Sequence, residues 1–157
     1  MRKLMLIMSV AFLAGLTACG QQNENVPANV KSAFSKKFTS VSKVKWSQEN
    51  AKEWEAEFKM DGKNYSANFD NSGNWKETEY EISKKEIPSV VQATLNKEFP
   101  GFKTEESEIS VTKDGKVFEF MLEKGDSNME VAIDPSGSVL KKEQINEDEE
   151  NEGGDED

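Results

Sequence analysis

One turn sequence, Asp-x-Ser-Gly, occurs twice in this chain and indicates a duplicated architecture. It stands at residues 70–73 and again at 134–137, each time after an apolar residue and with another apolar residue two positions beyond the glycine. A type I turn favours Asp at its start and Gly at its end, because Asp bonds the following backbone and Gly accepts a positive φ. We interpret both copies as turns between a third and a fourth strand, and not as metal ligands or catalytic groups.

Other positions repeat at nearly the same spacing. Pro27 and Pro88, for example, are sixty-one residues apart and each follows an apolar residue. These matches predict a first unit at residues 26–86 and a second unit at residues 87–146. A unit of about 60 residues is marginal on its own. We therefore expect the two units to share a sheet or a core in one compact body.

The apolar period changes once within each unit. Residues 26–38 and 87–99 have apolar side chains at helical spacing, and each begins with a proline in the first turn. The spacing then becomes two, which is typical of strands with one dry and one wet face. The predicted strands are residues 42–48, 53–60, 63–70, 74–82, 106–113, 116–124, 128–134 and 138–145. The predicted fold class is α+β, with tandem duplicated helix-plus-four-strand units whose helices pack on one face of a mainly antiparallel sheet.

The alternation also predicts which side chains face outward. They are Glu53, Glu55, Glu57, Lys59, Asn64, Ser66, Asn68, Glu119 and Glu130. On a solvated strand face nothing obvious raises the pKa of a carboxyl group. We therefore interpret this face as solubilising.

Aromatic side chains are concentrated in the first unit, where most are expected to pack in the core. Trp75 and Tyr80 are out of phase with each other, so both cannot face the core if their strand is regular. An exposed Trp or Tyr is a common anchor of protein interfaces. We name Tyr80, Trp75, Glu53, Glu55 and Glu57 as candidate partner-binding residues.

The N-terminus has the features of a secretory leader. Two basic residues precede an apolar run that is too short to span a membrane comfortably. The sequence Leu16-Thr17-Ala18-Cys19 resembles the lipobox of bacterial lipoproteins, in which the cysteine is acylated and becomes the first mature residue. We predict a lipoprotein signal peptide at residues 1–18, lipidation of Cys19 and a polar tether at residues 19–25. An ordinary signal peptide with a chance cysteine is the alternative.

The residue after the lipobox cysteine indicates the membrane in which a lipoprotein resides. Gly20 stands where an aspartate would favour retention in the inner membrane. The resemblance therefore implies an outer-membrane lipoprotein that faces the periplasm or the cell surface.

The charge of the chain restricts its partners. The net charge is −10, and it becomes −12 once the leader with Arg2 and Lys3 is removed. Nucleic acid and anionic surfaces would repel such a chain. Residues 147–157 contain eight carboxylates and no apolar residue, which predicts a disordered acidic tail. We expect a monomer with a membrane attachment through lipid on Cys19, an unidentified envelope protein or peptide as partner, and no nucleic acid.

The residue types exclude several kinds of active site. The sequence has no histidine, and Cys19 is its only cysteine. A Ser-His-Asp triad, a Cys-His pair and a histidine-based zinc site are therefore absent. We predict no catalytic residue, no cofactor, no metal site and no enzymatic activity. A carboxylate hydrolase remains an alternative, and it needs a cleft with two carboxyl groups about 5–10 Å apart.

The order of these features resembles the PepSY-like, or β-lactamase-inhibitor-like, proteins of bacterial envelopes. The resemblance covers residues 26–146 and rests on the lipobox, the two proline-led helices, the aromatic sequence KVKWSQENAKEWEAEF at residues 43–58, and the turns before Trp75 and Val139. The resemblance implies a non-enzymatic binding module. The β-lactamase inhibitor protein binds its target with one face of its sheet, and the PepSY domains of protease propeptides hold proteases inactive.

The sequence departs from the inhibitor pattern in two respects. No intramolecular disulfide is possible, and the predicted outward face is polar and not aromatic. No inhibitory residue can therefore be carried over. The leading hypothesis is a lipid-anchored binding module that uses its sheet face or an edge strand. The alternative is an acidic envelope protein that weakly binds cations or basic ligands, with a uniformly negative surface and no pocket.

Overall fold

A computed structural model describes residues 25–145 of the chain. The elements in chain order are α1 (Ala28–Lys37), β1 (Val44–Asn50), β2 (Glu53–Met60), β3 (Lys63–Asp70), β4 (Trp75–Glu81), a short 3-10 helix (Lys84–Glu86), α2 (Ser89–Glu98), β5 (Lys103–Thr112), β6 (Gly115–Lys124), β7 (Ser127–Ile133) and β8 (Val139–Ile145). The predicted signal peptide, the predicted lipidation site at Cys19, almost all of the predicted tether and the predicted acidic tail lie outside the described residues. Between residues 25 and 145, neither helix has the length and apolarity needed to cross a membrane.

All eight strands form a single antiparallel sheet, and their order in the sheet is their order in the chain. The predicted arrangement of tandem helix-plus-four-strand units is therefore wrong. β4 pairs with β5 from Glu77 opposite Thr112 to Glu81 opposite Glu108, so the sheet runs without a boundary through both halves. The expectation that the two halves share a sheet or a core is confirmed by this pairing, which also avoids the exposed edges that two separate four-stranded sheets would have at β4 and β5. Repetition in sequence shows the elements but not the pairing between the copies.

The predicted positions of the individual helices and strands agree with the structure better than their predicted grouping into two units does. Each of the two α-helices and eight strands begins and ends within three residues of its predicted range, whereas the short 3-10 helix was not predicted. Pro27 and Pro88 are the N-cap residues of α1 and α2, one position earlier than a first-turn residue. Proline is tolerated there because the first backbone N–H groups of a helix have no partner within the helix.

The two helices pack on one face of the sheet over two clusters of buried apolar side chains. Val30 and Phe34 of α1 pack against alternate side chains of β1 to β3, namely Trp46, Trp54, Ala56, Phe58, Ala67 and Phe69. Val91 and Leu95 of α2 pack in the same way against Ile109, Phe118, Phe120, Leu122, Val131 and Ile133. Burial of one large apolar side chain stabilises a fold by about 1.5–3 kcal/mol, so these clusters hold the helices in place.

Two tyrosines on neighbouring strands connect the two clusters. Tyr65 of β3 packs against the first cluster and Tyr80 of β4 against the second. Their ring centroids are 5.0 Å apart, and the ring of Tyr65 stacks on that of Phe58 at 5.5 Å. A row of three aromatic rings therefore crosses the middle of the sheet between the two helices.

A bulge in β4 explains why Trp75 and Tyr80 both contact a core cluster. Asn68 is opposite Glu77, whereas the next residue, Phe69, is opposite Trp75, so β4 contains one extra residue at this point. The indole N–H of Trp75 donates to the Thr78 hydroxyl at 2.8 Å. Trp75 and Tyr80 were expected to face opposite sides only if β4 is a regular strand, and the bulge removes that condition.

The two Asp-x-Ser-Gly sequences are turns, as predicted. The Asp70 carboxylate accepts backbone N–H groups of Ser72 and Asn74, both at 2.9 Å. Asp134 accepts the equivalent backbone donors in the second turn. Hydrogen bonds from the Asn74 side chain, and then from the backbone, hold the pKa of Asp70 below its usual value. Both carboxylates are thus engaged within their own turns.

The close approach of the first of these turns to α1 leads to a testable prediction. Gly73 has φ +82° and a Cβ atom there would lie 2.9 Å from the backbone oxygen of Asn29. Gly62 has φ +81° and no atom within 4 Å of the equivalent position. Gly62→Ala should cost about 1 kcal/mol through its φ alone. Gly73→Ala should cost about 2–3 kcal/mol, because the helix must also move.

Urea denaturation of the two variants beside the parent protein measures both costs. An equal loss of unfolding free energy in Gly62→Ala and Gly73→Ala would show that the contact between the turn and α1 is unimportant.

Candidate functional site

The strand register places the polar side chains on the sheet face opposite the helices. Glu55 is opposite Asn68, and Asn68 is in turn opposite Glu77. In the next row Glu57 is opposite Ser66, and Ser66 is opposite Glu79. We call this side of the sheet the acidic face. Opposed residues lie about 4.5–5.5 Å apart between their Cβ atoms, and one uncharged polar residue separates the two carboxyl groups of each row.

The middle of the acidic face is recessed from solvent. Asn68 is only 2 % exposed, Glu79 4 % and Glu77 7 %, although no apolar cluster covers them. The interpretation of this face as fully solvated and solubilising is therefore wrong for its centre. Alternation separates the two faces of a strand, but it does not show how deeply a wide, twisted sheet places the middle of a face.

This burial changes the ionisation of the carboxyl groups. Desolvation raises the pKa values of Glu55, Glu77 and Glu108 above the ordinary value for glutamate. The pKa of Glu119 rises to about 7, first through desolvation and then through repulsion from other carboxylates on the face, of which Glu77 is the strongest. The expectation that nothing on this face raises a carboxyl pKa is wrong.

Asn68 lies between two carboxylates that each bond a serine farther out. The Ser47 hydroxyl donates to Glu55 at 3.1 Å, and the Ser110 hydroxyl donates to Glu77 in a short hydrogen bond. Ser47 is on β1 and Ser110 is on β5, so both bonds direct the carboxylates away from Asn68. Within the described part of the chain, neither the amide nitrogen nor the amide oxygen of Asn68 has a hydrogen-bond partner.

A cleft of about 1160 Å³ opens beside this cluster, where β1, β3 and β5 begin and β2 and β4 end. Its charged lining consists of Glu49, Glu55, Glu57, Glu79, Glu81, Glu105, Glu106 and Glu108 with Lys43, Lys45 and Lys59. Eight glutamates against three lysines give this lining a formal excess of five negative charges. The aromatic row of Phe58, Tyr65 and Tyr80 also reaches the cleft. We call this cavity the acidic cleft.

The structure brings together some of the candidate partner-binding residues and separates others. Tyr80, Glu55 and Glu57 line the acidic cleft. Glu53 lies outside it and accepts a hydrogen bond from the Asn50 side chain at 3.1 Å. Trp75 packs beside α1, with the Lys37 ammonium 3.5 Å from its ring centroid. A role of these five residues in partner binding stays a prediction.

The catalytic and metal sites were predicted to be absent. Among residues 25–145, no three His, Cys, Asp or Glu side chains converge in a way that could hold a metal ion. The acidic face therefore presents its carboxylates as a spread surface and not as a chelating group.

Sequence reasoning missed the two central glutamates of the site. Glu77 and Glu79 alternate with Thr78 and Tyr80 along β4, and this period of two could have placed them on the face of Asn68. No sequence signal places Ser110 against Glu77, because that contact depends on the pairing of β4 with β5. The burial of Asn68 is likewise a property of the assembled sheet.

Comparison with solved structures shows the same fold in proteins of low sequence identity. A "DUF2874 family protein" from Bacteroides uniformis has a TM-score of 0.71 at 18% identity, with 75% of this chain and 88% of that chain covered. A structure from Bacteroides eggerthii described as "putative periplasmic proteins" has a TM-score of 0.71 at 19% identity, with 76% of this chain and 89% of that chain covered. A "BLIP-like protein" from Bacteroides fragilis gives 0.67 at 19% identity, with 74% and 84% covered.

No curated protein sequence matches the chain. A family model described as "Putative beta-lactamase-inhibitor-like, PepSY-like" matches residues 52–141, which run from the start of β2 into β8 and include most of the acidic face. With more than half of its length matched in this way, the chain belongs to the PepSY-like, β-lactamase-inhibitor-like family.

Proposed function

We propose that this protein is a non-enzymatic binding module of the bacterial cell envelope that recognises a protein or peptide through the acidic cleft. The observation that carries the proposal is the cleft itself, where half-buried Tyr65 and Tyr80 adjoin an excess of glutamates. Aromatic anchors beside charged groups are the composition of interface hot spots. The volume of about 1160 Å³ exceeds that of most small-molecule pockets, which favours a segment of polypeptide as the occupant.

The cleft also separates this proposal from the acidic carrier hypothesis. That hypothesis requires a uniformly negative surface without a pocket, whereas residues 25–145 contain a recessed cleft with an aromatic side. The family description supports an inhibitor-like role, in which the occupant would be a loop of a target enzyme. The absence of histidine from the sequence supports binding over catalysis.

The envelope location has two sources of support. The leader ends in a lipobox-like sequence at Cys19. The structural relative from Bacteroides eggerthii is described as periplasmic. We propose that lipid on Cys19 anchors the protein to the outer membrane and that the polar tether leaves the acidic cleft accessible.

Site-specific photo-crosslinking tests the recognition surface. A photoreactive phenylalanine analogue at Tyr80 should crosslink a discrete partner in living cells, because this position lines the acidic cleft. The same analogue at Val90, which is 44% exposed on α2 and does not line the acidic cleft, is the matched control. Crosslinks of equal yield from Val90, or from Val90 alone, would contradict recognition through the cleft.

The anchor is tested by Cys19→Ser. Loss of the only thiol in the chain removes the acceptor for the lipid, so the protein should move almost completely from the membrane fraction to the soluble fraction. Immunoblots of the two fractions measure the change. If Cys19→Ser remains in the membrane fraction as fully as the parent protein, the proposed lipid anchor is wrong.

A further inference from the structure

We propose that the acidic face around Asn68 binds the basic side chain of a partner peptide, with the ammonium or guanidinium group between Glu55 and Glu77. This inference rests on the proposed function and names the chemistry of the segment that the acidic cleft recognises. Three features support it: the unpaired amide of Asn68, the negative charge around it and the spacing of the carboxylates.

Asn68 is the first reason to expect a ligand at this place. Its side chain is almost completely buried, yet its amide group has no hydrogen-bond partner within residues 25–145. A buried polar group without a partner is strongly unfavourable, and native proteins retain few of them. Asn68 lies on the same face as Glu55, which lines the acidic cleft, and the two residues are directly opposite each other. A donor on the acidic face between these two residues would meet the amide oxygen and the carboxylate together.

The charges around Asn68 select a cation. Glu55 and Glu77 flank it on the neighbouring strands, and Glu57 and Glu79 lie in the adjacent row. Desolvation raises the pKa values of Glu55 and Glu77, which means that burial makes their ionised forms less favourable. A bound cation would offset this unfavourable desolvation. Charge-assisted hydrogen bonds to a guanidinium or ammonium group are the strong type of hydrogen bond.

The spacing of the carboxylates favours a peptide side chain as the ligand over a metal ion. No three acidic side chains in the described region converge closely enough to hold a metal. A guanidinium carries five donors in a planar fork and can contact groups on adjacent strands, whereas a chelated ion cannot.

Calorimetric titration with a matched pair of peptides tests the proposal. One probe is an acetylated, amidated peptide of alternating alanine and arginine, and the other has citrulline in place of each arginine. The full chain should bind the arginine peptide at least about tenfold more tightly than the citrulline peptide. Asn68→Leu and Glu55→Gln should each weaken binding of the arginine peptide by about tenfold or more.

Two controls separate loss of the site from loss of the fold or of net charge. Asn68→Leu should raise the midpoint of thermal unfolding, because it removes a buried group without partners. Glu98→Gln makes the same charge change as Glu55→Gln, but on α2, and should change the affinity by less than about twofold.

The outcomes distinguish this inference from the proposed function. If the two peptides bind equally and Asn68→Leu weakens both, the ligand is not a basic side chain. That result would overturn this inference and leave the proposed function in place. Arginine-peptide binding that is unchanged by Asn68→Leu and Glu55→Gln would overturn the site, and no binding of either peptide would overturn the inference. If spermidine binds at the same residues as tightly as the arginine peptide, the site recognises a cationic group without a peptide, and the assignment of a peptide ligand is wrong.

Discussion

Phe34→Ala is expected to lower the free energy of unfolding by about 4 kcal/mol, the largest effect of any change considered for this fold. Phe34 is 3% exposed, and its ring lies close to that of Phe38 at the end of α1 and to aromatic rings of the sheet. Its ring centroid is 5.4 Å from that of Trp46, 5.0 Å from that of Phe58 and 6.2 Å from that of Phe69. Loss of the ring leaves a cavity among rigid partners, which relax little to fill it.

Chemical denaturation of Phe34→Ala beside Lys36→Ala measures this effect. Lys36 is exposed on the same helix, and its replacement should change the unfolding free energy by no more than about 0.5 kcal/mol. Because β4 and β5 pair in one continuous sheet, Phe34→Ala should still unfold in a single transition, in which both apolar clusters are lost together. Two resolved transitions would contradict that continuity, and a loss below about 1 kcal/mol would contradict the packing of α1.

Glu119→Gln is expected to stabilise the protein at neutral and alkaline pH. The pKa of Glu119 is raised to about 7 in the folded chain, so the folded state holds its proton more tightly than the unfolded chain does. The stabilising contribution of the protonated carboxyl is complete below the unfolded pKa of about 4.5 and is lost as pH rises through about 7. At pH 8 the parent protein therefore carries an unfavourable ionised carboxylate, which Glu119→Gln replaces with a neutral group.

From the raised pKa of Glu119, we expect the Glu119→Gln variant to have a free energy of unfolding up to about 3 kcal/mol higher than the parent protein at pH 8. At pH 4 the two proteins should differ little. The charged groups that face Glu119 are Glu77 of β4, Glu108 of β5, Glu130 of β7 and Lys141 of β8. Unfolding free energies measured from pH 4 to pH 8 give the profile. Glu123→Gln is the control on the same face of β6, because Glu123 stands opposite Lys103 and Asn128 and not opposite a carboxylate.

A stability profile of Glu119→Gln that runs parallel to that of the parent protein would show that the acidic face is not recessed at this position. A gain of similar size in Glu123→Gln would assign the effect to the net charge of the chain and not to the burial of Glu119.

Local features of the sequence predict much of this fold. The Asp-x-Ser-Gly turns, the proline-led helices and the alternating strands depend on neighbouring residues, and each element lies close to its predicted range. The partition between a helix-covered face and a polar face also follows from the alternation in β2 and β3. These features are local because turn chemistry and side-chain period are properties of a few consecutive residues.

The remaining features depend on contacts between distant residues. The pairing of β4 with β5 fuses the two halves of the sheet, and it brings Ser110 to Glu77 across thirty-three residues. The bulge at Trp75 shifts the register of β4, so a count along a regular strand misplaces that side chain. The depth of Asn68 and the raised pKa of Glu119 arise only when the strands of the sheet lie side by side.

Nuclear magnetic resonance tests most directly whether the acidic face is the recognition surface. The side-chain amide of Asn68 gives its own pair of proton resonances, and it lies at the centre of the proposed site. On titration of the labelled full chain with the arginine peptide, we predict large shifts of this side-chain amide and of the backbone amides of Glu55, Glu77 and Tyr80, with little change in α2. Shifts confined to the helices or to the acidic tail, with the Asn68 amide unmoved, would contradict the account.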